Sequence, residues 1–160
     1  MATQYGRSSK PAKMIELVFV VRLVVAALLG ALVGLERSIA GKHAGMRTYA
    51  LVSLGSCLFV IIGTLASYQL SMFAGINPLQ IASSIVIGIG FIGSGLSMMH
   101  SQNQMELTTA SGIWVVAGIG MACGFGFYVT AAAASILSLL VFGVFSKAEH
   151  KIRVRWGRGE

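Results

Sequence analysis

Aspartate is missing from this sequence altogether, and only five acids occur among its 160 residues: Glu16, Glu36, Glu106, Glu149 and Glu160. A Ser-His-Asp triad is therefore excluded, and no other nucleophile motif is present. Metal or phosphoryl-transfer centres built from several carboxylates lack their ligands. Charge of either sign is scarce at 11%, where soluble domains carry about 25%. Cysteine occurs twice, at Cys57 and Cys123. Both lie inside apolar runs without zinc or redox spacing, so they read as small hydrophobes.

What remains is hydrophobic. Apolar residues make up 56% of the chain, and the mean hydropathy is +0.81. The length allows one small integral membrane domain. The formal net charge of +7 would point to nucleic acid in a soluble protein. Here the basic residues gather at the two ends and in one loop, the pattern of membrane-flanking charge, so no nucleic-acid partner is expected.

Read in order, the chain divides into a polar segment 1–16, a transmembrane domain 17–145 and a basic tail 146–160. About 20 apolar residues span a bilayer. Leu17–Leu35 is the first such run, with Arg22 expected as a snorkelling anchor near its start. The loop Glu36–Arg47 follows, and Thr48 is placed to cap a second span, Tyr49 to about Tyr68. Asn77-Pro78 is a helix-start signal for a third span, about Leu79–Met99. A polar loop, His100–Leu107, precedes a fourth span capped by Thr108 or Thr109 and running to about Cys123. Gly124–Gly126 is a short reversal into a fifth span, Phe127–Phe145. The expected fold is an all-α integral membrane protein, a compact bundle of about five transmembrane helices with glycine-rich packing.

Glycine interrupts these runs densely between Gly88 and Gly126. Each interior glycine weakens a helix by about 1 kcal/mol relative to alanine, so the missing side chains are expected to serve close helix–helix approach. Gly30, Gly34, Gly88, Gly90, Gly93, Gly95, Gly120 and Gly124 are the candidate packing positions. Gly88-Ile89-Gly90-Phe91-Ile92-Gly93 also matches the dinucleotide fingerprint GxGxxG. It lies mid-membrane without the strand and acidic residue that fingerprint needs, so nucleotide binding is rejected.

Five spans place the first loop, the third loop and the tail on one side, with eight lysines and arginines against three at the amino terminus. The positive-inside rule then puts the tail in the cytoplasm and the amino terminus outside. The same arrangement brings Glu36, Arg37, Arg47, Thr48, Glu106, Thr108 and Thr109 to one level. Charges at apolar helix ends are usually paired or functional. The cluster reads as a polar site between the first, second and fourth helices, or more plainly as interfacial anchors. His43, His100 and His150 lack helix-face metal spacing and read as solvated loop residues. Met98 and Met99 read as packing, and any metal-binding residues stay unknown.

Three ordered segments, GALVGLER…AGMRTYALVSLGS, IVIGIGFIGSGL and LTTASGIWVVAGIGMACGFGFY, resemble the membrane domain of the MgtC/SapB family from about Val20 to Phe142. The resemblance carries over to Gly34, Glu36, Arg37, Gly45, Arg47 and Thr48, then to Gly88, Gly90, Phe91, Gly93 and Gly95. In the third segment it reaches Leu107, Thr109, Ala110, Trp114, Gly120 and Gly124. Glu106 stands where the family pattern usually has glycine. The resemblance implies a bacterial inner-membrane protein tied to growth at low magnesium and to survival in host cells, here in a short form without the soluble carboxy-terminal domain. It implies regulation of membrane partners more than magnesium transport.

Two readings follow. One is a non-enzymatic regulator, without a cofactor, that binds another membrane protein through glycine-lined helices and forms homo-oligomers in the bilayer. The alternative is a small ion transporter or channel component for Mg2+, with Glu36 and the threonines at its mouth. One or two carboxylates with carbonyl oxygens suffice for that ion because it keeps several waters.

Overall fold

In a computed structural model the described residues are 9–69, 77–99, 105–146, 148 and 151–152. They form five helices and no strand: α1 (Ser9–Ile39), α2 (Met46–Gln69), α3 (Pro78–Met99), α4 (Met105–Phe125) and α5 (Tyr128–Leu140). A π-helical turn, Val141–Phe145, continues α5. All five are long and apolar enough to cross a membrane, with spans at Met14–Ile39, Met46–Gln69, Leu79–Leu96, Leu107–Phe125 and Tyr128–Phe145. Helix α1 begins well before Leu17, so part of the polar segment 1–16 is helical.

Local chemistry sets the helix ends. Asn77 Oδ1 accepts the Leu79 N–H at 2.9 Å, and Pro78 occupies the first helical position of α3, where its missing N–H costs nothing. Helix α4 ends at Gly126, whose φ of +85° suits glycine. There the Phe127 N–H reaches the Ala122 carbonyl at 2.8 Å and the Gly126 N–H the Cys123 carbonyl at 2.9 Å, the paired bonds of a Schellman cap. The reversal into α5 is thus built into the backbone. Helix α1 closes the same way at Gly41, φ +66°, with Lys42 N–H bonded to the Arg37 carbonyl at 3.0 Å.

Helices α2 and α4 form the middle of the bundle. Helix α1 packs on both, α5 packs on α4 and α1, and α3 touches only α2 and α4 among the described residues. The tight glycine seam runs along α2. From α1, a Cβ on Gly30 would lie 2.6 Å from the Tyr49 carbonyl oxygen, and one on Gly34 would lie 2.8 Å from the Met46 Cα. From α4, a Cβ on Gly120 would meet Ser53 backbone, and one on Gly124 would lie 2.7 Å from the Val60 Cβ. Each helix supplies two glycines four residues apart, the spacing that lets backbones approach in a bilayer. On α3 the pattern differs. A Cβ on Gly93 would be in ordinary contact with Ala110, and Gly88, Gly90 and Gly95 face open space. Of the glycine-rich stretch Gly88–Gly126, the α4 half packs tightly as expected, and the α3 half does not within the described residues. The reason is position: α3 sits at the edge of the bundle, and only Ile89 of its described residues reaches the core.

Candidate functional site

The Schellman turn after α1 leaves Arg37 and Glu36 one turn from the helix end. The short loop is held by Ser38, whose Oγ accepts the Met46 N–H at 2.9 Å and so caps α2. Gly45 has no side chain because Ser38 Oγ fills the place of its Cβ. Ser38, not Thr48, performs the capping, since α2 already begins at Met46.

This loop turns Arg37 inward, where it is only 4% exposed. Its guanidinium donates to Thr109 Oγ1 of α4 at 3.4 Å and lies 3.7 Å from Glu36 Oε2. The guanidinium carbon sits 4.5 Å from the Phe142 ring centroid. A desolvated contact of this kind contributes about 2 kcal/mol. Phe142 reaches the cation from the π-helical turn, in which an extra residue per turn re-aims the side chains that follow. The Tyr49 hydroxyl donates to the Thr109 carbonyl at 3.2 Å. One turn deeper on α4, a Cβ on Gly112 would strike the Tyr49 hydroxyl and lie 2.8 Å from Phe142 Cζ. Glycine at 112 is what lets the two rings meet at the cation.

Pairing at this corner is incomplete. Arg37 Nε and Glu36 Oε2 are buried without a hydrogen-bond partner, as is Ser53 Oγ deeper in the bundle, beside Gly30 and Gly120. Most helical hydroxyls here bond their own backbone, as Thr64 does to the Val60 carbonyl and Ser135 to the Ala131 carbonyl. A buried ion pair stabilises only when geometry and secondary bonds are good, so the 3.7 Å Arg37–Glu36 contact adds little to stability by itself.

The structure brings Glu36, Arg37 and Thr109 together. Arg47 and Thr108 are exposed and Thr48 is half-buried. Glu106 lies in the first turn of α4, which starts at Met105, so neither it nor the two threonines sits in a loop or at a cap; its side chain lies outside the described residues. Among the positions carried by the resemblance, Gly45 lies in the first loop and Ala110 is half-buried, while Phe91, Leu107 and Trp114 are 81%, 68% and 54% exposed. Sequence reasoning missed Tyr49, Gly112 and Phe142, and the aromatic spacing offered no signal that would have joined them. His43 is exposed, and His100, His150, the basic tail from Arg153 and the side chains of Met98 and Met99 lie outside the described residues. Among the described residues, no group of three or more His, Cys, Asp or Glu could hold a metal ion.

Arg22 occupies the opposite end of the bundle. Its guanidinium donates to the Gly124 carbonyl at 2.6 Å, in the last turn of α4. It is half-buried and acts as an interhelical cap where snorkelling was expected. The two arginines of α1 thus meet opposite ends of α4. Arg22 complements the negative end of the helix dipole, and Arg37 lies near the positive end, where a cation is disfavoured.

The MgtC family profile matches residues 23–151. The chain belongs to the MgtC family. It is 39% identical over 136 residues to a putative magnesium transporter of Escherichia coli K12, YhiD, covering 84% of this chain and 63% of that protein. Protein MgtC of Salmonella typhimurium is 37% identical over 140 residues, covering 88% of this chain and 58% of that protein. Protein SapB of Bacillus subtilis is 37% identical over 123 residues, covering 75% and 53%. The chain thus spans roughly three fifths of the length of the first curated relatives it matches. No solved structure matches. With its five apolar helices, this MgtC-family chain is a multi-pass bacterial membrane protein.

Proposed function

We propose that this chain is a non-enzymatic regulator in the bacterial inner membrane, acting on membrane partners during magnesium limitation or stress. The first loop, the start of α4 and the tail face the cytoplasm, and the amino terminus faces out, as the asymmetry of lysine and arginine supports. The observation that carries the reading is on α3. Gly88, Gly90 and Gly95 each weaken the helix by about 1 kcal/mol, yet none of the described residues uses the space they leave. On α1 and α4, by contrast, Gly30, Gly34, Gly120 and Gly124 give such space to a neighbouring helix, although Gly55, Gly118 and Gly143 are open like those of α3. A docking helix from outside the chain accounts for it.

A second reading, a magnesium transport component, draws on Glu36, whose side chain is 26% exposed and whose Oε2 is buried without a hydrogen-bond partner. It draws also on the name of the Escherichia coli relative. Liposomes loaded with a magnesium-sensitive dye separate the two. Regulation predicts no flux from folded protein. Flux that disappears in Glu36→Gln and Thr109→Val would overturn regulation and establish transport. In cells, Gly88→Leu is expected to abolish support of magnesium-limited growth, while a control at the lipid-facing Val129 retains it.

A further inference from the structure

Arg22 and Arg37 stand 15 residues apart on α1, and their partners on α4, Gly124 and Thr109, are also 15 residues apart, in the opposite order. At 1.5 Å per residue both separations are about 22 Å. The two helices thus run antiparallel with both guanidinium contacts in a single register, and a slide of α1 that breaks one contact breaks the other. Helix α1 is continuous from Ser9 to Ile39, and Ala26 and Val33, between the arginines, are fully buried. The two contacts differ in strength. Arg22 makes a 2.6 Å bond at the negative end of the α4 dipole. Arg37 makes a 3.4 Å bond near the positive end, stands 3.7 Å from Glu36 and keeps a buried Nε without a hydrogen-bond partner. Polar bonds this long do not fix the Arg37 corner by themselves.

We infer that α1 is a connecting rod. The bond from Arg22 to Gly124 holds Arg37 in its corner at the far end of the bundle, and an event that displaces Arg22 loosens that corner. The physical basis is that of two contacts carried by one stiff body. Once the first has formed, the second closes within the molecule at high effective concentration and needs no further ordering of the helix. Arg22 therefore acts as a positioning residue for Glu36, Arg37 and Thr109, none of which it touches. Sites so far apart, without shared contacts, ordinarily contribute independently, so dependence of one end on the other identifies the rod. A change at one face of the membrane is carried by this device to the polar corner at the other. It serves regulation and transport alike and rests on neither reading.

The test reads each end while the other is altered. Val33→Cys places a thiol at a fully buried position one turn before Arg37, without removing any contact of the corner. Native Cys123, also fully buried, reports the end at Gly124. The full chain in native membranes is treated with N-ethylmaleimide, and mass spectrometry assigns the modified thiols. Arg22→Met is expected to speed modification at position 33 about tenfold, within the range usual for coupled sites, and Arg22→Lys to restore most of the protection. Coupling is reciprocal, so Arg37→Met should speed modification of Cys123 by a similar factor. Ile61→Ala, a core truncation on α2 that removes neither arginine contact, should leave position 33 protected. A rise of the same size in Ile61→Ala would show general loosening of the bundle and overturn the rod. Unchanged protection of position 33 in Arg22→Met, in protein shown to be folded, would overturn it equally.

Discussion

Arg22 of α1 donates a hydrogen bond of 2.6 Å to the carbonyl oxygen of Gly124, 102 residues further along the chain. The contact caps α4 where its dipole is negative and sits against the turn at Gly126, where a Cβ would lie 3.2 Å from the guanidinium. A charge in the apolar part of α1 is thereby joined to the reversal that starts α5.

Arg22→Met should lower stability by about 1.5–3 kcal/mol, the scale of a hydrogen bond from a charged donor. Arg22→Lys should recover part of the loss, because the charge near the helix end remains. Thermal unfolding in detergent micelles measures both, and an Arg22→Met variant as stable as the native chain would return Arg22 to the role of a surface anchor.

At the other end, Arg37 and Phe142 should be energetically coupled. A double-mutant cycle with Arg37→Met and Phe142→Leu is expected to give about 2 kcal/mol of coupling, that of a desolvated cation over a ring. Additive losses would show that the 4.5 Å stack contributes nothing of its own.

Tyr49→Phe removes only the hydroxyl that reaches the Thr109 carbonyl. Interhelical hydrogen bonds in bilayers contribute about 0.6–1.7 kcal/mol, so a loss in that range is expected. Gly112→Ala, although chemically milder, should cost more, about 1–3 kcal/mol, because its methyl group collides with both Tyr49 and Phe142. The order of the two in unfolding midpoints is the check.

Glycine substitutions should divide by location and not by sequence context. Gly120→Ala drives a methyl into the backbone of Ser53 and should destabilise by about 1–3 kcal/mol. Gly90→Ala meets nothing and should stabilise α3 by up to about 1 kcal/mol. Equal effects at the two positions in purified protein would contradict the packing described for α3 and α4.

Much of the architecture was legible before any coordinates. Apolar run length defines the five spans, the Asn77-Pro78 pair starts α3, and the Gly124–Gly126 segment reverses the chain, because spanning length and turn chemistry are local properties. Family membership was legible too, through three ordered motifs. The candidate site was legible only in part. Glu36, Arg37 and Thr109 share a level that the count of spans dictates, but Tyr49, Gly112 and Phe142 join them through packing. A helix apolar on all sides carries no stripe to say which face turns inward. The eight candidate packing glycines therefore look alike along the chain, and only the tertiary arrangement separates Gly30, Gly34, Gly120 and Gly124, pressed against α2, from Gly88, Gly90 and Gly95, left open at the edge. The sequence by itself determined the number of apolar helices long enough to cross the bilayer and roughly where each lies, while the starts of α1, α2 and α4 fell earlier than expected. Which faces meet, and so which arginine caps a helix and which is held over an aromatic ring, was decided by the three-dimensional packing, since in lipid it is close contact and hydrogen bonding, not hydrophobicity, that chooses a helix's neighbours.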